Sequence, residues 1–381
     1  MNNKILNVVS VYFSIPFFFG EQLTYFKERG YEIHIICSPS NKLKNYSKIH
    51  QFKYYEVPIL RKFSIINDIK AVFKVYKYIK KNNIKTVSGH TAKGSLIAMI
   101  ASFFARTPKR LYFRHGFYYE TSTGLKRLLM LNIDRFSSLL STKVIGVSPY
   151  VIEKSIELKL TKKEKLTLLN IGSCNGVDCK TKFNPRLINR EELNSLKRKL
   201  NIKDTDFVIG YTGRLVKDKG VEELIDAFNL LEKKYKDIKL LLVGPEEERN
   251  SISNDTKSYM DYNKNIIRTG LIDNNIEYYY ACMNCLVLPT YREGLGTSLL
   301  EAASMQIPVL TNSNTGSRDA IKNKYNGFYI KVEPNDISKK IEIYINDKKM
   351  QIEHGKNGRN FIINNFDQKI IWKEIETKLY Q

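Results

Sequence analysis

Cysteine is scarce: five in 381 residues, too few for a disulfide framework, which sets aside the small stapled scaffolds of secreted proteins. "CMNC" (Cys282, Cys285) and "CNGVDC" (Cys174, Cys179) together hold four thiols, but the second spacing is longer than zinc pairs use. Cys285 also opens the apolar run "CLVLP", so the cysteines read as small buried residues and no metal is expected. Long apolar runs are missing too. The strongest, Leu96 to Ala105, falls well short of the ~20 residues that cross a bilayer. Asn7 and Ser10 interrupt the first apolar stretch, and no small-residue cleavage site follows it. A cytoplasmic protein is expected.

Acid is scarce in one half only. Residues 1–165 hold 10 Asp+Glu against 29 Lys+Arg, a balance of +19, whereas residues 166–381 hold 29 against 33, a balance of +4. A basic half beside a near-neutral one suggests that one lobe faces an anionic partner. The RNP-like aromatic pattern of an RNA reader and any basic repeat are lacking, so no nucleic-acid partner is expected.

What is present is alternation. Hydrophobic residues make up 43% of the chain and charged residues 27%, enough for two or three folded cores. "KILNVVSV" (4–11), "YEIHIIC" (31–37), "IKTVSG" (84–89), "RLYFRHG" (110–116), "TKVIGVS" (142–148) and "LTLLNIG" (166–172) read as strands buried on both faces. Helical patterns separate them, such as "GEQLTYFKERG", where Gly30 suits a helix stop. "SCNGVDCKTKFNPR" (173–186) breaks the series. It resumes with "FVIGYTG" (207–213), "IKLLLVG" (238–244), "NIIRTGL" (265–271), "CLVLPT" (285–290), "IPVLT" (307–311) and "GFYIKV" (327–332). The expected fold is α/β: two doubly wound Rossmann-like domains facing a central cleft. Residues 1–172 form the first, 173–186 the linker and 187–365 the second. The helical end, 366–381, carries Ile371, Ile375 and Leu379 on one face beside Trp372 and is expected to return to the first domain.

Ligands of such sheets sit at the carboxyl ends of strands, so the loops there are where binding residues are expected. "GRLVKDKG" (213–220) sets Arg214 and Lys219 between Gly213 and Gly220, two cations on tight backbone that suit a diphosphate; a solvated basic turn is the bland alternative. In "YREGLGTSLLE", Gly294 and Gly296 allow close backbone approach, and Thr297 or Ser298 can cap the next helix. The third glycine of a dinucleotide fingerprint is missing. Glu293 stands on this turn. Glu301 lies one helical turn inside, either a surface residue or, among apolar neighbours, an acceptor for two hydroxyls. His115 ends a strand, and His90 and Lys93 open a helix at the same edge; a satisfied structural imidazole is the competing reading for each histidine.

Taken in order, "GRLVKDKG", "EGLGTSLLE" and the "HG" after an N-terminal strand resemble the family-4 retaining glycosyltransferases of GT-B fold. Glu293-x₇-Glu301 matches that family's E-x₇-E motif, and "IGSCNGVD" resembles the segment that closes its first domain. "SIPFFFGEQLTYFKERGYEIHIICS" and "SGHTAKGSLIAMIASFFARTPKRLYFRHGF" resemble the branch that builds bacterial capsules and O-antigens. The resemblance covers nearly the whole chain. It implies that Glu301 holds the ribose hydroxyls of a nucleotide sugar, UDP by family habit, and that Glu293 meets hydroxyls of the transferred sugar. It places the Gly294, Leu295, Gly296, Thr297 and Ser298 backbone around donor oxygens and gives Arg214 and Lys219 the departing diphosphate. His115 would lie near the anomeric carbon. No metal or other cofactor is implied, since the nucleotide sugar is a substrate. The sequence departs from the family in two places. Of the paired glycines common after the first strand only Gly20 stands near, and Asp319 replaces a frequent Glu.

The implied acceptor is a glycan or a sugar on a polyprenyl diphosphate, met at the inner membrane face. Basic and aromatic material for an anionic surface lies in "PFFFG", "LRKF" (60–63), the lysines of 70–85 and "FARTPKR". "GFYYETSTGLKRLLM" (116–130), with Phe117, Tyr118, Tyr119, Lys126 and Arg127, would line the acceptor entrance, as would His90 and Lys93. Two other readings compete: a sugar-nucleotide epimerase or hydrolase of the same architecture, which would release free sugar without acceptor, and a non-enzymatic basic protein for RNA or membranes, which no nucleotide sugar would stabilise.

Overall fold

The computed structural model describes residues 3–60, 64–117, 119–248 and 250–381. Tyr118 and the Arg61, Lys62 and Phe63 of "LRKF" therefore lie outside the described residues. Two compact units divide the chain: Met1–Gly176 with Gln368–Gln381, and Val177–Asp367.

The first unit is built on strands β1 (Lys4–Val8), β2 (Glu32–Cys37), β3 (Lys53–Glu56), β4 (Thr86–Gly89), β5 (Lys109–Arg114), β6 (Lys143–Gly146) and β7 (Leu166–Leu168). All pair in parallel, in the order β3-β2-β1-β4-β5-β6-β7. Alternate residues feed two cores, as a strand buried on both faces requires. Ile5, Ile33, Ile35, Leu111, Phe113 and Ile145 face one side. Leu6, Val8, Ile36, Val87, Tyr112 and Val144 face the other, under the helices of residues 65–82 and 92–104. The first core is closed by the end of the chain. Helix Gln368–Ile375 and the turn after it bury Ile371, Trp372, Ile375 and Leu379 there. Each such side chain removed from water is worth roughly 1.5–3 kcal/mol. Trp372 Nε1 donates to Asn175 Oδ1 at 2.9 Å, and Lys109 Nζ donates to the Tyr380 carbonyl at 2.7 Å.

Gly30 ends helix Gln22–Glu28 at φ +81°, with its N–H on the Lys27 carbonyl and the Tyr31 N–H on that of Phe26, the two bonds of a Schellman turn. The one strand absent from the sequence reading is β3. Its "KYYE" is mostly exposed and pairs on one side only, so it carries no apolar run to find it by.

The second unit holds β8 (Phe207–Thr212), β9 (Ile238–Val243), β10 (Ile266–Arg268), β11 (Cys285–Leu288), β12 (Val309–Asn312) and β13 (Gly327–Ile330), again all parallel, in the order β10-β9-β8-β11-β12-β13. In each sheet the order reverses once, between β1 and β4 and between β8 and β11, and a doubly wound sheet offers its binding crevice at that point.

Candidate functional site

Three loops meet at the β8/β11 reversal. Gly220 ends the loop after β8 at φ +68°, and a Cβ there would stand 1.9 Å from the Pro289 carbonyl of the loop after β11. The Gly316 N–H, from the loop after β12, donates to the Glu293 carbonyl at 3.0 Å, and a Cβ at Gly316 would lie 2.1 Å from the Gly294 carbonyl. Only glycine permits either approach. Polar bonds stitch the same loops. Arg292 pairs with Asp218, and the Tyr291 N–H reaches the Asp218 carbonyl at 3.0 Å.

On this frame Lys219 Nζ lies 2.6 Å from Glu293 Oε2 and 3.2 Å from the Arg292 carbonyl. Glu293 Oε1 also accepts the Gly294 N–H at 3.1 Å. Burial opposes ionisation of Glu293, but the Lys219 ammonium and that N–H outweigh it and hold the carboxyl below its ordinary range. Arg214, whose carbonyl is fixed by the Tyr211 hydroxyl at 2.7 Å, turns its guanidinium to Glu247 Oε2 at 2.7 Å. Two cations therefore stand at one strand end, each balanced by a carboxylate, an arrangement able to take up a diphosphate by exchange of counter-charge.

Helix Thr297–Ser304 begins with Gly296 as its N-cap, at φ +80°, and no side chain caps it. The expectation that Thr297 or Ser298 would cap is thus corrected: Thr297 is the first helical residue, because glycine alone tolerates the left-handed turn before it. Leu295 is buried. Glu301 is no surface residue. Its Oε2 accepts the Tyr280 hydroxyl at 2.7 Å, and burial, opposed by that bond, pushes its carboxyl up to about 7. Near neutrality it exchanges between a hydrogen-bond donor and a pure acceptor. Asp319 follows in the turn Gly316–Ala320, with its Oδ1 3.6 Å from Arg318 Nε.

The first unit brings together a second group at the ends of β4 and β5. His90 Nδ1 is 3.1 Å from His115 Nε2. Phe18 stacks on the His115 ring at 3.9 Å, and Cys174 Sγ lies 3.7 Å from His115 Nδ1. Burial drives the His115 pKa down to about 3, and burial with the neighbouring ring drives that of His90 well below the ordinary imidazole value, so both are neutral. His90 is 2% exposed and backs His115. Lys93, expected beside it on the acceptor side, is engaged by Asp68 at 2.8 Å. Gly20 turns at φ +48° between two helices, with Asn175 Nδ2 3.6 Å from where its Cβ would be. Of the cysteines, Cys37, Cys179, Cys282 and Cys285 are buried.

Sequence reasoning missed Tyr280, Glu247, Asp218 and Gly316, which support the chosen residues; Asp218 stands between Arg214 and Lys219 in "GRLVKDKG" but was given no role. Nothing separates Tyr280 from its neighbours in "YYYAC".

Comparison with known proteins places these loops in a wider set. Residues 194–361 match the family "Glycosyl transferases group 1", and residues 6–148 match "Glycosyl transferase 4-like". The chain is 33% identical over 377 residues to the capsular polysaccharide biosynthesis glycosyltransferase CapM of Staphylococcus aureus, covering 99% of this chain and 96% of that protein. It is 27% identical over 342 residues to the Escherichia coli UDP-Gal:alpha-D-GlcNAc-diphosphoundecaprenol alpha-1,3-galactosyltransferase, covering 88% and 86%. Among solved structures, Anabaena Alr3699/HepE in complex with UDP and glucose superposes with a TM-score of 0.82 at 19% identity over 99% of both chains, a likeness of fold.

Proposed function

Because the chain belongs to the family-4 glycosyltransferases of GT-B fold that act in bacterial surface-glycan synthesis, we propose that it moves a sugar from a uridine diphosphate sugar, with retention of anomeric configuration, to a sugar carried on a polyprenyl diphosphate. The observation that carries this reading is the grouping at the β8/β11 reversal: Lys219 on Glu293, Arg214 on the same loop as Lys219, and Glu301, half-buried, one turn inside the helix that follows. The names of the relatives supply the chemistry. The Escherichia coli relative uses UDP-galactose and a diphosphoundecaprenol acceptor, and HepE was solved with UDP.

In this reading Glu301 accepts the ribose hydroxyls and Glu293 those of the transferred sugar. The backbone from Gly294 to Ser298 meets donor oxygens. As the bond from the anomeric carbon to the β-phosphate oxygen breaks, negative charge gathers on the diphosphate, and Arg214 and Lys219 offset it. The acceptor hydroxyl attacks from the same face and its proton leaves with the diphosphate oxygen. His115 hydrogen-bonds the donor sugar. Neither a metal nor a further cofactor has a part in the scheme.

The acceptor would be met at an anionic membrane surface on the cytoplasmic side. Among the described residues no helix is long and apolar enough to cross a membrane. Helix Ile65–Asn82, however, exposes Ile65, Ile66, Ile69 and Phe73 among Lys70, Lys74 and Lys77, and helix Gly124–Leu140 exposes Leu125, Leu128 and Leu129 beside Lys126 and Arg127. Apolar side chains ringed by cations suit shallow insertion under anionic headgroups.

A thermal-unfolding screen of nucleotides and nucleotide sugars tests the donor assignment. A ligand at ~100 times its Kd stabilises by about 2.7 kcal/mol. UDP and one UDP-sugar should raise the Tm, and transfer should require added lipid acceptor. Stabilisation by no nucleotide, or release of free sugar without acceptor, would overturn the reading.

A further inference from the structure

The contact between His90 and His115 has a direction. Two neutral imidazoles 3.1 Å apart share one N–H, and the ring that owns it decides which nitrogen of His115 bears hydrogen. The far side of His90 settles the choice. Its Nε2 is buried with no hydrogen-bond partner among the described residues, in a ring flanked by Phe18, Phe19 and Phe113. A hydrogen there would be an orphaned donor, a rarer defect than an under-satisfied acceptor. His90 therefore carries its hydrogen on Nδ1 and donates it to His115 Nε2. His115, being neutral, carries its own on Nδ1.

The backbone supports the same assignment. Thr91, next in the chain, sits at φ +64° and ψ 154°, a region that β-branched residues avoid. The turn is held by Thr91 Oγ1 against Ser10 Oγ at 2.6 Å, and by the Gly94 N–H donating to Ser10 Oγ at 3.0 Å. A strained turn kept this firmly fixes the side chain just before it, which is His90.

We propose that His90 is a positioning residue that locks His115 as its Nδ1–H tautomer, so that His115 serves sugar transfer as a fixed hydrogen-bond donor and not as a base. This rests on the reading of His115 as a sugar contact. Within the protein that Nδ1–H faces Cys174 Sγ at 3.7 Å, a weak acceptor that a sugar hydroxyl oxygen readily replaces.

The test uses the full chain labelled with ¹⁵N-histidine. Long-range proton–nitrogen correlation reports which nitrogens bear hydrogen, with His115 assigned by its loss in His115→Gln. The expected result is a protonated Nδ1 and a bare Nε2 on His115; hydrogen on Nε2 overturns the proposal without any variant at His90. In His90→Asn, whose amide can donate from near the Nδ1 position, the tautomer should persist and kcat stay within about threefold. In His90→Leu the tautomer should be lost and kcat fall about tenfold or more, with donor KM and UDP affinity little changed. Equal kcat in the Asn and Leu variants would overturn the positioning role. Full turnover in His115→Gln removes His115 from the reaction, and with it the functional half of the proposal, whatever the spectrum shows.

Discussion

Lys219 and Glu293 join the two loops that flank the strand-order reversal of the second sheet, with Nζ and Oε2 2.6 Å apart and both side chains mostly buried. Lys219 keeps Glu293 charged. Burial alone would push the Glu293 carboxyl up, and it is the ammonium that reverses the sign.

Lys219→Ala should therefore do two things at once. It removes a cation from the departing diphosphate, for an expected loss on the order of 10²-fold in kcat. It also removes the ammonium that does most to hold Glu293 ionised against burial, so the Glu293 pKa should rise. The double variant Lys219→Ala/Glu293→Gln should lose much less than the product of the two single losses, because the pair acts as a unit. Steady-state kinetics on the four proteins measures this. Fully multiplicative losses would show that the contact has no bearing on the reaction.

Glu301 predicts a pH dependence with a definite sign. Folded, its carboxyl titrates near 7, against an ordinary value of 4.5. Between these values the folded chain holds a proton that the unfolded chain has released. The residue's contribution to stability therefore falls as pH rises through that window and is complete only below it. Ribose hydroxyls donate best to the ionised form, so UDP affinity should rise as pH passes 7, and binding below that pH should release a proton. Calorimetry in two buffers of different ionisation enthalpy measures the release. In Glu301→Gln both the release and the pH slope should vanish, with weaker binding throughout. An unchanged slope in that variant would remove Glu301 from ribose recognition.

Glu247 stands on Arg214 at 2.7 Å, where a diphosphate oxygen would stand in the proposed complex. The pair is about a third exposed, so its worth is at most ~1 kcal/mol. Glu247→Ala should thus tighten UDP binding modestly, by up to about fivefold, as the competing carboxylate is removed. Titration of both proteins with UDP decides the matter; weaker binding in the variant would make Glu247 a support for Arg214 and not its competitor.

Most of the architecture is legible in the sequence, because strands buried on both faces are written as apolar runs: every strand but β3 overlaps a stretch named from the sequence, with β5 and β12 each overrunning theirs by one residue. β3 escaped because an edge strand with exposed side chains has no such run. At the site the glycines were readable, since Gly220 and Gly296 sit where only glycine fits. Partners were not. Lys219 finds Glu293 across 74 positions, Tyr280 finds Glu301 across 21 and His90 finds His115 across 25, and no local period records a contact made by folding. His90 reads from the sequence as a residue that opens a helix at the same edge as His115. Its burial is set by Phe18, Phe19 and Phe113, which come from two other segments.

The basic half of the chain leads to the last prediction. Its +19 balance could arise from composition alone, yet the second half is as rich in lysine and arginine and is balanced by acid. The structure adds a feature that charge counting does not contain: Ile65 is 77% exposed, Ile66 70% and Leu125 82%, each on a helix that also exposes Lys or Arg. Cations near an anionic leaflet contribute roughly 1 kcal/mol each and are screened by salt, while inserted aliphatic side chains are not. Sedimentation with liposomes should therefore show binding to anionic vesicles that weakens, without vanishing, between low and moderate salt, and weak binding to neutral ones. Reversing the charges of Lys70, Lys74 and Lys77 should abolish the salt-sensitive part. Ile66→Asp with Leu128→Asp should remove the salt-resistant part while UDP binding persists, because both positions lie in the first unit and the proposed nucleotide site lies in the second. Equal binding to neutral and anionic vesicles, or none to either, would sink the membrane assignment.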